Sequence, residues 1–268
     1  MISEKEAVHD FWDNASCGEE LYLAGKSKDD YLKQADIRYH LEPFILEFAE
    51  FENSKDKKVL EIGVGLGADH QQFAQAGAVL TGVDLTQRAI DHTRRRFQVL
   101  SLHSDLRTAD AENLPFADGA FDIVYSWGVL HHSPNTAKAI DEVFRVLKPN
   151  GTAKIMVYYR YSLVGFMLWI RYALFRFRPL TSLDSIYSQY LESPGTKAYS
   201  VPEAKNLFRK FKTNEIKTVL THGDLLTSSA GQRHQGLLLK MARLVWPRSF
   251  IRTAFPKNGL FMLITATK

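Results

Sequence analysis

The chain has 268 residues, 45% of them hydrophobic and 24% charged, which is the composition of an ordinary globular protein. Its single cysteine, Cys17, excludes an internal disulfide framework and predicts a reducing, cytoplasmic setting. A net charge of +4 is too small a basic excess to indicate a nucleic acid or an anionic lipid surface on its own. No apolar run reaches the ~20 residues that a membrane-spanning helix needs, and the charged N-terminus predicts no secretion signal.

Predicted helices and strands alternate along the chain. A helix over Asp29–Glu50, bent or broken near Pro43, makes residues 1–50 a helical cap ahead of the first strand. Short apolar or β-branched runs predict seven strands, at Lys58–Ile62, Ala78–Val83, Arg107–Ala109, Phe121–Ser126, Thr152–Tyr158, Glu215–Thr221 and Leu260–Thr267. Such alternation is typical of an α/β protein with a mostly parallel sheet and helices on both faces. We expect a single domain over residues 1–268.

Residues 159–200 interrupt this alternation and predict a helical insertion after the fifth strand. Within it, Ser162 is a candidate helix cap and Pro179 a candidate end, and the apolar residues between them surround the helix almost completely. Three interpretations remain open: a lid over an acceptor pocket, a homodimer contact, or a helix lying in a membrane surface, which the basic-aromatic run Lys240–Phe255 would join. The lid is favoured, so we expect no tight membrane association.

A glycine-rich turn follows the first predicted strand. Gly63, Gly65 and Gly67 stand at alternate positions in VLEIGVGLG, and Asp84 closes the next strand 21 residues after Gly63. A strand, a glycine turn, a helix and an acid in this order indicate a nucleotide-type ligand at the carboxyl edge of the sheet. The pattern also meets the loose dinucleotide fingerprint, so a nicotinamide-dependent oxidoreductase is one alternative.

Three features favour a different ligand. Glu61 precedes the turn, and its negative charge suits a cationic ligand better than a pyrophosphate. The third strand ends in Asp110-Ala111-Glu112, which offers a carboxylate and backbone groups to the edge of an adenine. The fourth strand ends in SWGVLHH, residues 126–132, which brings aromatic and imidazole groups to the same edge of the sheet.

These stretches, together with IDEVFRVLKPNG at residues 140–151, resemble the class I S-adenosylmethionine-dependent methyltransferases of the small-molecule, ubiquinone/menaquinone-biosynthesis-like (methyltransferase type 11) group. The resemblance covers residues 35–158. It implies a Rossmann-like, seven-stranded sheet whose last strand is antiparallel, and S-adenosylmethionine as cofactor with S-adenosylhomocysteine as product. The cofactor-binding residues that it implies are Glu61, Gly63, Gly65, Asp84, Leu85, Asp110, Ala111, Glu112, Trp127, Arg38 and Tyr31.

Some of these roles remain open. Glu112 is favoured as an exposed or turn-stabilising carboxylate, Trp127 as a wall of the cofactor site, and Arg38 and Tyr31 as closing groups or part of a solvated helix face. Where the acceptor carries a proton, His131 or His132 is the candidate base, with His131 preferred and a purely structural role the alternative.

Other partners are limited by the sequence. The nine histidines show no zinc-ligand spacing, so we predict no metal. An RNA-modifying or nucleic-acid-binding role, suggested by Arg94-Arg95-Arg96, is disfavoured because cations at a helix end also complement its dipole. We therefore expect a small, partly apolar acceptor and no nucleic acid, while the acceptor atom and the oligomeric state stay open.

Overall fold

The computed structural model describes residues 3–228 and 243–268. Seven strands form one sheet in the order β3-β2-β1-β4-β5-β7-β6. The strands are β1 (Lys58–Ile62), β2 (Val79–Asp84), β3 (Asp105–Thr108), β4 (Phe121–Trp127), β5 (Leu147–Tyr158), β6 (Thr213–Val219) and β7 (Phe261–Thr267). The neighbours from β3 to β5 are parallel, whereas β7 runs antiparallel to both β5 and β6. The predicted sheet with an antiparallel last strand is confirmed.

The helices are α1 (Glu4–Asn14), α2 (Glu19–Tyr22), α3 (Lys28–Leu41), α4 (Phe44–Ala49), α5 (Ala68–Gln75), α6 (Gln87–Leu100), α7 (Thr136–Val146), α8 (Leu163–Tyr172), α9 (Leu183–Tyr190), α10 (Val201–Leu207) and α11 (Arg248–Ala254). The predicted break near Pro43 is confirmed, because α3 ends and α4 begins on either side of it. The insertion after β5 is also present, as α8 and α9. No helix in the described ranges is both long and apolar enough to span a bilayer.

Helices cover both faces of the sheet. Consecutive side chains of a strand point to opposite faces, and β1 shows this directly. Val59 packs into an apolar cluster with residues of α4, α5 and α6, whereas Leu60 and Ile62 pack into another with residues of α7 and α10. The sheet therefore lies between two apolar clusters, one on each face.

Two predicted boundaries are wrong for identifiable reasons. Strand β5 begins at Leu147 rather than Thr152, because Leu147 pairs with Phe121 across a register shift between β4 and β5. Helix α8 is capped by Ser162, as predicted, but ends at Tyr172, well before Pro179. One further 3-10 turn follows, and Phe177 closes it in the left-handed region, with φ 56°.

The order of the strands places the site. From β1 the chain builds β2 and β3 on one side and then returns to build β4 and β5 on the other. In such sheets the ligand crevice lies outside the carboxyl ends of the strands at this switch point. Here that crevice is bounded by the ends of β1 and β4.

Candidate active site

A cavity of about 690 Å³ occupies the crevice, within the range of small-molecule sites. Its predominantly apolar wall combines the glycine turn, the ends of β2 and β4, the N-terminal helices and α8. The predicted site residues that line it are Arg38, Glu61, Gly63, Gly65, Asp84, Leu85, Asp110, Ala111, Trp127 and His132. Tyr31, Glu112 and His131 are not part of the wall.

The glycine turn depends on its glycines for two different reasons. Gly63 has φ +84°, and an added Cβ would lie 2.1 Å from Val129 Cγ2, so the turn and the loop after β4 pack too closely for any side chain. Gly65 has φ +51°, but an added Cβ would meet no atom within 4 Å. Gly65 therefore borders open space in the cavity, where a ligand can approach the backbone.

Asp84 holds the turn and keeps acceptor capacity for a ligand. Its Oδ2 accepts from the Gly65 N–H at 3.2 Å, and its Oδ1 accepts from the N–H and the hydroxyl of Thr86, both at 3.0 Å. Burial raises the pKa of Asp84, and these hydrogen bonds oppose that shift. Carboxylate oxygens together offer about four acceptor positions, so after these three hydrogen bonds Oδ2 can still accept from one ligand hydroxyl, such as a hydroxyl of ribose.

Lys5 on α1 reaches the loop after β3. Its Nζ lies 2.6 Å from Asp110 Oδ2 and 3.0 Å from Glu112 Oε2. Glu112 also accepts from the Ser133 hydroxyl at 2.6 Å and from the Asn135 N–H at 2.8 Å. Glu112 thus stabilises the loop before α7 and lies behind the cavity, in line with the structural role favoured from the sequence.

Glu61 belongs to a buried hydrogen-bonded chain beneath the turn. The Ser104 hydroxyl donates to the Leu80 carbonyl at 2.9 Å, so it accepts from His70 Nε2 at 2.8 Å. His70 Nδ1, 2.8 Å from Glu61 Oε2, is then an acceptor, and we assign the proton between them to Glu61. Burial raises the pKa of Glu61 well above its usual range and lowers that of His70 to about 3. An arriving cation would favour the ionised form of Glu61.

Arg38 faces the cavity but is held by Asp69. Its Nε and Nη2 donate to the two oxygens of Asp69 at 3.0 and 2.6 Å. The hydroxyls of Tyr39 and Tyr125 donate to the same carboxylate at 3.0 and 2.8 Å. Nη1, 3.5 Å from Glu42 Oε2, is therefore the guanidinium nitrogen least committed to the protein and the one best able to meet a ligand carboxylate.

The expectation that Tyr31 closes over the cofactor is corrected by its placement. Tyr31 is fully buried, and its ring packs against the guanidinium of Arg96 at 5.3 Å. Arg96 donates to the carbonyls of Tyr31 and Leu66 and to the side chains of Gln34 and Gln71. Arg96 therefore connects α3, α6 and the glycine turn through buried hydrogen bonds. The helix dipole, which explains the arginine triplet from the sequence alone, does not predict this role.

The two candidate histidines differ in access, and the preference for His131 is reversed. His131 is fully buried outside the cavity wall, where burial lowers the pKa of its ring well below the usual value. His132 lines the cavity, and its Nδ1 contacts the hydroxyls of Ser193 at 2.8 Å and Thr196 at 3.1 Å. A base for a bound acceptor must reach the cavity, so only His132 fits that role among the pair.

Glu192 completes this part of the wall. Its Oε2 lies 3.3 Å from His132 Nε2, an ion-pair distance without hydrogen-bond alignment, and accepts from the Tyr158 hydroxyl at 2.6 Å. Within the described residues, His131, His132 and Glu192 are also the group whose potential metal-ligand atoms lie within 4.8 Å of one another. His132 Nδ1 and Glu192 have protein partners, whereas both ring nitrogens of His131 and Nε2 of His132 are buried without a hydrogen-bond partner. The absence of a metal stays a prediction.

Sequence reasoning missed several residues of the site. Asp69, Lys5 and Glu192 were not candidates, because each contributes through a partner far away in the chain. Glu192 directly precedes residues 193–200, which pack against the loop that carries His132. In that contact the Lys197 N–H donates to the His131 carbonyl at 3.0 Å.

Comparisons with known proteins agree with this architecture. Residues 60–155 match the family model described as "Methyltransferase domain". Among solved structures, the [4+2]-cyclase SpnF superposes with a TM-score of 0.55 at 14% identity, covering 88% of this chain and 81% of the other. A Haemonchus contortus phosphoethanolamine N-methyltransferase, bound to phosphomonomethylethanolamine and S-adenosylhomocysteine, gives a TM-score of 0.60 at 15% identity, covering 97% and 60%. At these identities the likeness shows the fold, which is that of Rossmann-like methyltransferases.

Three curated relatives share part of the sequence. A demethylmenaquinone methyltransferase of Tropheryma whipplei is 31% identical over 55% of this chain and 62% of its own length. A tocopherol O-methyltransferase of Arabidopsis thaliana is 36% identical over 47% and 38%, and a sterol 4-C-methyltransferase of Caenorhabditis elegans is 33% identical over 41% and 33%. The chain thus spans about a third to three fifths of these relatives. Residues 60–155 of the chain therefore carry a methyltransferase domain.

Proposed function

We propose that the protein transfers a methyl group from S-adenosylmethionine to a small, largely apolar acceptor. The observation that carries this proposal is that one cavity joins the glycine turn and Asp84 to an apolar chamber beneath α8. A cyclase shares the fold, so the fold alone does not define the reaction, and the methyltransferase-named relatives add independent support. We place the reaction in the cytoplasm or at a membrane facing it.

The residues fit this cofactor. Asp84 Oδ2 has an acceptor position left for a ribose hydroxyl, Gly65 borders open space, and the protonated Glu61 can ionise beside a cation. When bound, the cofactor supplies an electrophilic methyl group on a sulfonium. Ala111 and Leu85 line the wall where its adenine would lie.

The chain's own contribution is alignment, exclusion of water and removal of a proton. The apolar helices keep water from the reacting atoms, and Trp127 and His132 line the same cavity. Where the acceptor is a hydroxyl or an amine, His132 accepts its proton and Glu192 stabilises the resulting imidazolium. The relatives methylate quinone, tocopherol and sterol compounds according to their names, which makes lipid-soluble rings the first acceptors to test.

Calorimetry with S-adenosylhomocysteine tests the proposal. We expect the wild type to bind it in preference to NAD, and Asp84→Ala to weaken binding by about 1–3 kcal/mol because a ligand hydroxyl loses its charged acceptor and the turn loses its hydrogen bond to Gly65. Asp91→Ala, which removes an exposed carboxylate from α6, is the matched control and should bind normally. The cofactor assignment would be wrong if the wild type preferred NAD, or if a folded Asp84→Ala variant bound S-adenosylhomocysteine with unchanged affinity. Labelled methyl transfer to the acceptor panel then identifies the product.

A further inference from the structure

The exposed apolar side chains of the described residues are concentrated in two segments. Thirteen large apolar side chains are exposed, and only Leu46 and Val79 lie elsewhere. The other eleven are in residues 161–180 and 244–255, and we call them the lid face: Tyr161, Phe166, Ile170, Leu174, Phe175, Phe177, Leu180, Leu244, Val245, Phe250 and Phe255. Phe177 and Leu180 are 93% and 98% exposed, so packing within the chain does not explain them.

The two segments meet at the cavity. The Leu163 N–H donates to the Asn258 carbonyl at 2.9 Å, and the Asn258 side chain donates to the Tyr161 carbonyl at 3.1 Å. Ile170 and Phe175 from the first segment and Trp246 from the second line the same cavity. Because Ile170 and Phe175 are also exposed, the cavity reaches the surface beside the lid face.

The charge of the lid face has one sign. Residues 161–183 and 243–259 contain no Asp or Glu, whereas Arg171, Arg176, Arg178, Arg252 and Lys257 are exposed within them. Basic side chains among exposed aromatic and aliphatic ones complement a surface that is anionic at the headgroups and apolar just below. A protein partner could match the apolar part, but the uniform basic charge favours anionic lipid.

We propose that the lid face lies on an anionic membrane surface and that the acceptor enters the cavity from the lipid. The entry of an acceptor rests on the proposed function, whereas membrane binding does not. This reverses the expectation of no tight membrane association, because α8 lines the cavity on one side and, within residues 3–228 and 243–268, has exposed apolar side chains on the other. Lys240 and the two residues after it, which the sequence placed in this surface, lie outside the described residues.

Vesicle flotation at physiological salt tests membrane binding. We expect the full chain to float with phosphatidylcholine vesicles that contain about a third phosphatidylglycerol, to float poorly with phosphatidylcholine alone, and to be released by high salt. Phe177→Glu combined with Leu180→Glu should lose most of the flotation. Leu46→Glu combined with Val79→Glu places the same charges on exposed apolar positions elsewhere and should float like the wild type.

Circular dichroism and thermal unfolding of both double variants establish that they are folded. Flotation needs no cofactor, so it can succeed even if S-adenosylhomocysteine fails to bind, and the two proposals fail separately. Wild type that stays with the unbound fraction, or a folded Phe177→Glu, Leu180→Glu variant that floats normally, overturns the inference. The inference is also overturned if the wild type is a dimer that does not float and the double variant is a monomer. A second copy of the chain would then cover the lid face.

Discussion

At the scale of single residues, the site combines groups whose state depends on burial. Burial beneath the turn raises the pKa of Glu61 and lowers that of His70, whereas Arg38 and two tyrosine hydroxyls surround Asp69 and lower the pKa of its carboxyl group. His132, in contrast, reaches the cavity and has a carboxylate beside its second nitrogen. This difference is the reason why we propose His132, rather than His131, for proton removal.

His132→Ala should lower turnover far more than it changes the affinity for S-adenosylhomocysteine. The loss should shrink as the acceptor becomes more acidic, because a more acidic hydroxyl needs less help from a base. A series of ring-substituted phenols of one parent acceptor, measured by labelled methyl transfer, checks this. His103→Ala, an exposed histidine before β3, is the control.

Glu192→Gln should show the same dependence on acceptor acidity with a smaller loss, as expected of a positioning residue. An equal loss of turnover for every acceptor would contradict a base and leave alignment as the role of His132.

At the scale of elements, the turn between β1 and α5 contains one glycine that the packing of the fold requires and another that borders the ligand cavity. Gly63 packs against Val129, whereas Gly65 borders the cavity, although both have a positive φ. The same glycine-rich pattern therefore contains one position set by packing and another set by ligand access. Substitutions at the two positions should have different consequences.

Gly63→Ala should lower the free energy of unfolding by more than the ~1–3 kcal/mol of backbone strain, because the added methyl also collides with Val129. Adding Val129→Ala should recover part of that loss. Gly65→Ala should cost only about the strain, yet weaken S-adenosylhomocysteine binding more than it weakens the fold. Urea unfolding and calorimetry measure the two effects. Normal binding by Gly65→Ala would show that the ligand does not approach this backbone.

At the scale of the whole molecule, the N-terminal helices are tied to the sheet domain by charge pairs. Arg88 on α6 donates from Nε and Nη2 to the two oxygens of Glu19 at 2.8 and 2.7 Å. The Arg88 hydrogen bonds lower the pKa of Glu19 from 4.5 to about 2. Since the folded pKa lies below the ordinary value, the pair stabilises the folded state above pH 4.5, and this contribution is lost as the pH falls to about 2.

The cap formed by α1 and α2 should therefore loosen in acid before the sheet unfolds. Hydrogen exchange of residues 4–22, corrected for the intrinsic effect of pH, should become faster between about pH 4.5 and pH 2. Glu19→Gln should exchange faster at neutral pH and lose that dependence, while Glu20→Gln, an exposed neighbour, should behave like the wild type. Identical exchange in Glu19→Gln and the wild type would mean that the pair does not hold the cap.

The sequence by itself determined the strands, the break at Pro43, the glycine turn and ten of the residues that line the cavity. These follow from local rules, because apolar periodicity, helix caps and glycines act on the backbone within a few residues. Only the tertiary structure decided that His132 rather than His131 lines the cavity, that Tyr31 packs on Arg96, and that the outer side of α8 exposes apolar side chains. Each of those depends on side chains that folding brings together from distant positions, as with His132 and Ser193, 61 residues apart, and no local pattern encodes such a pairing.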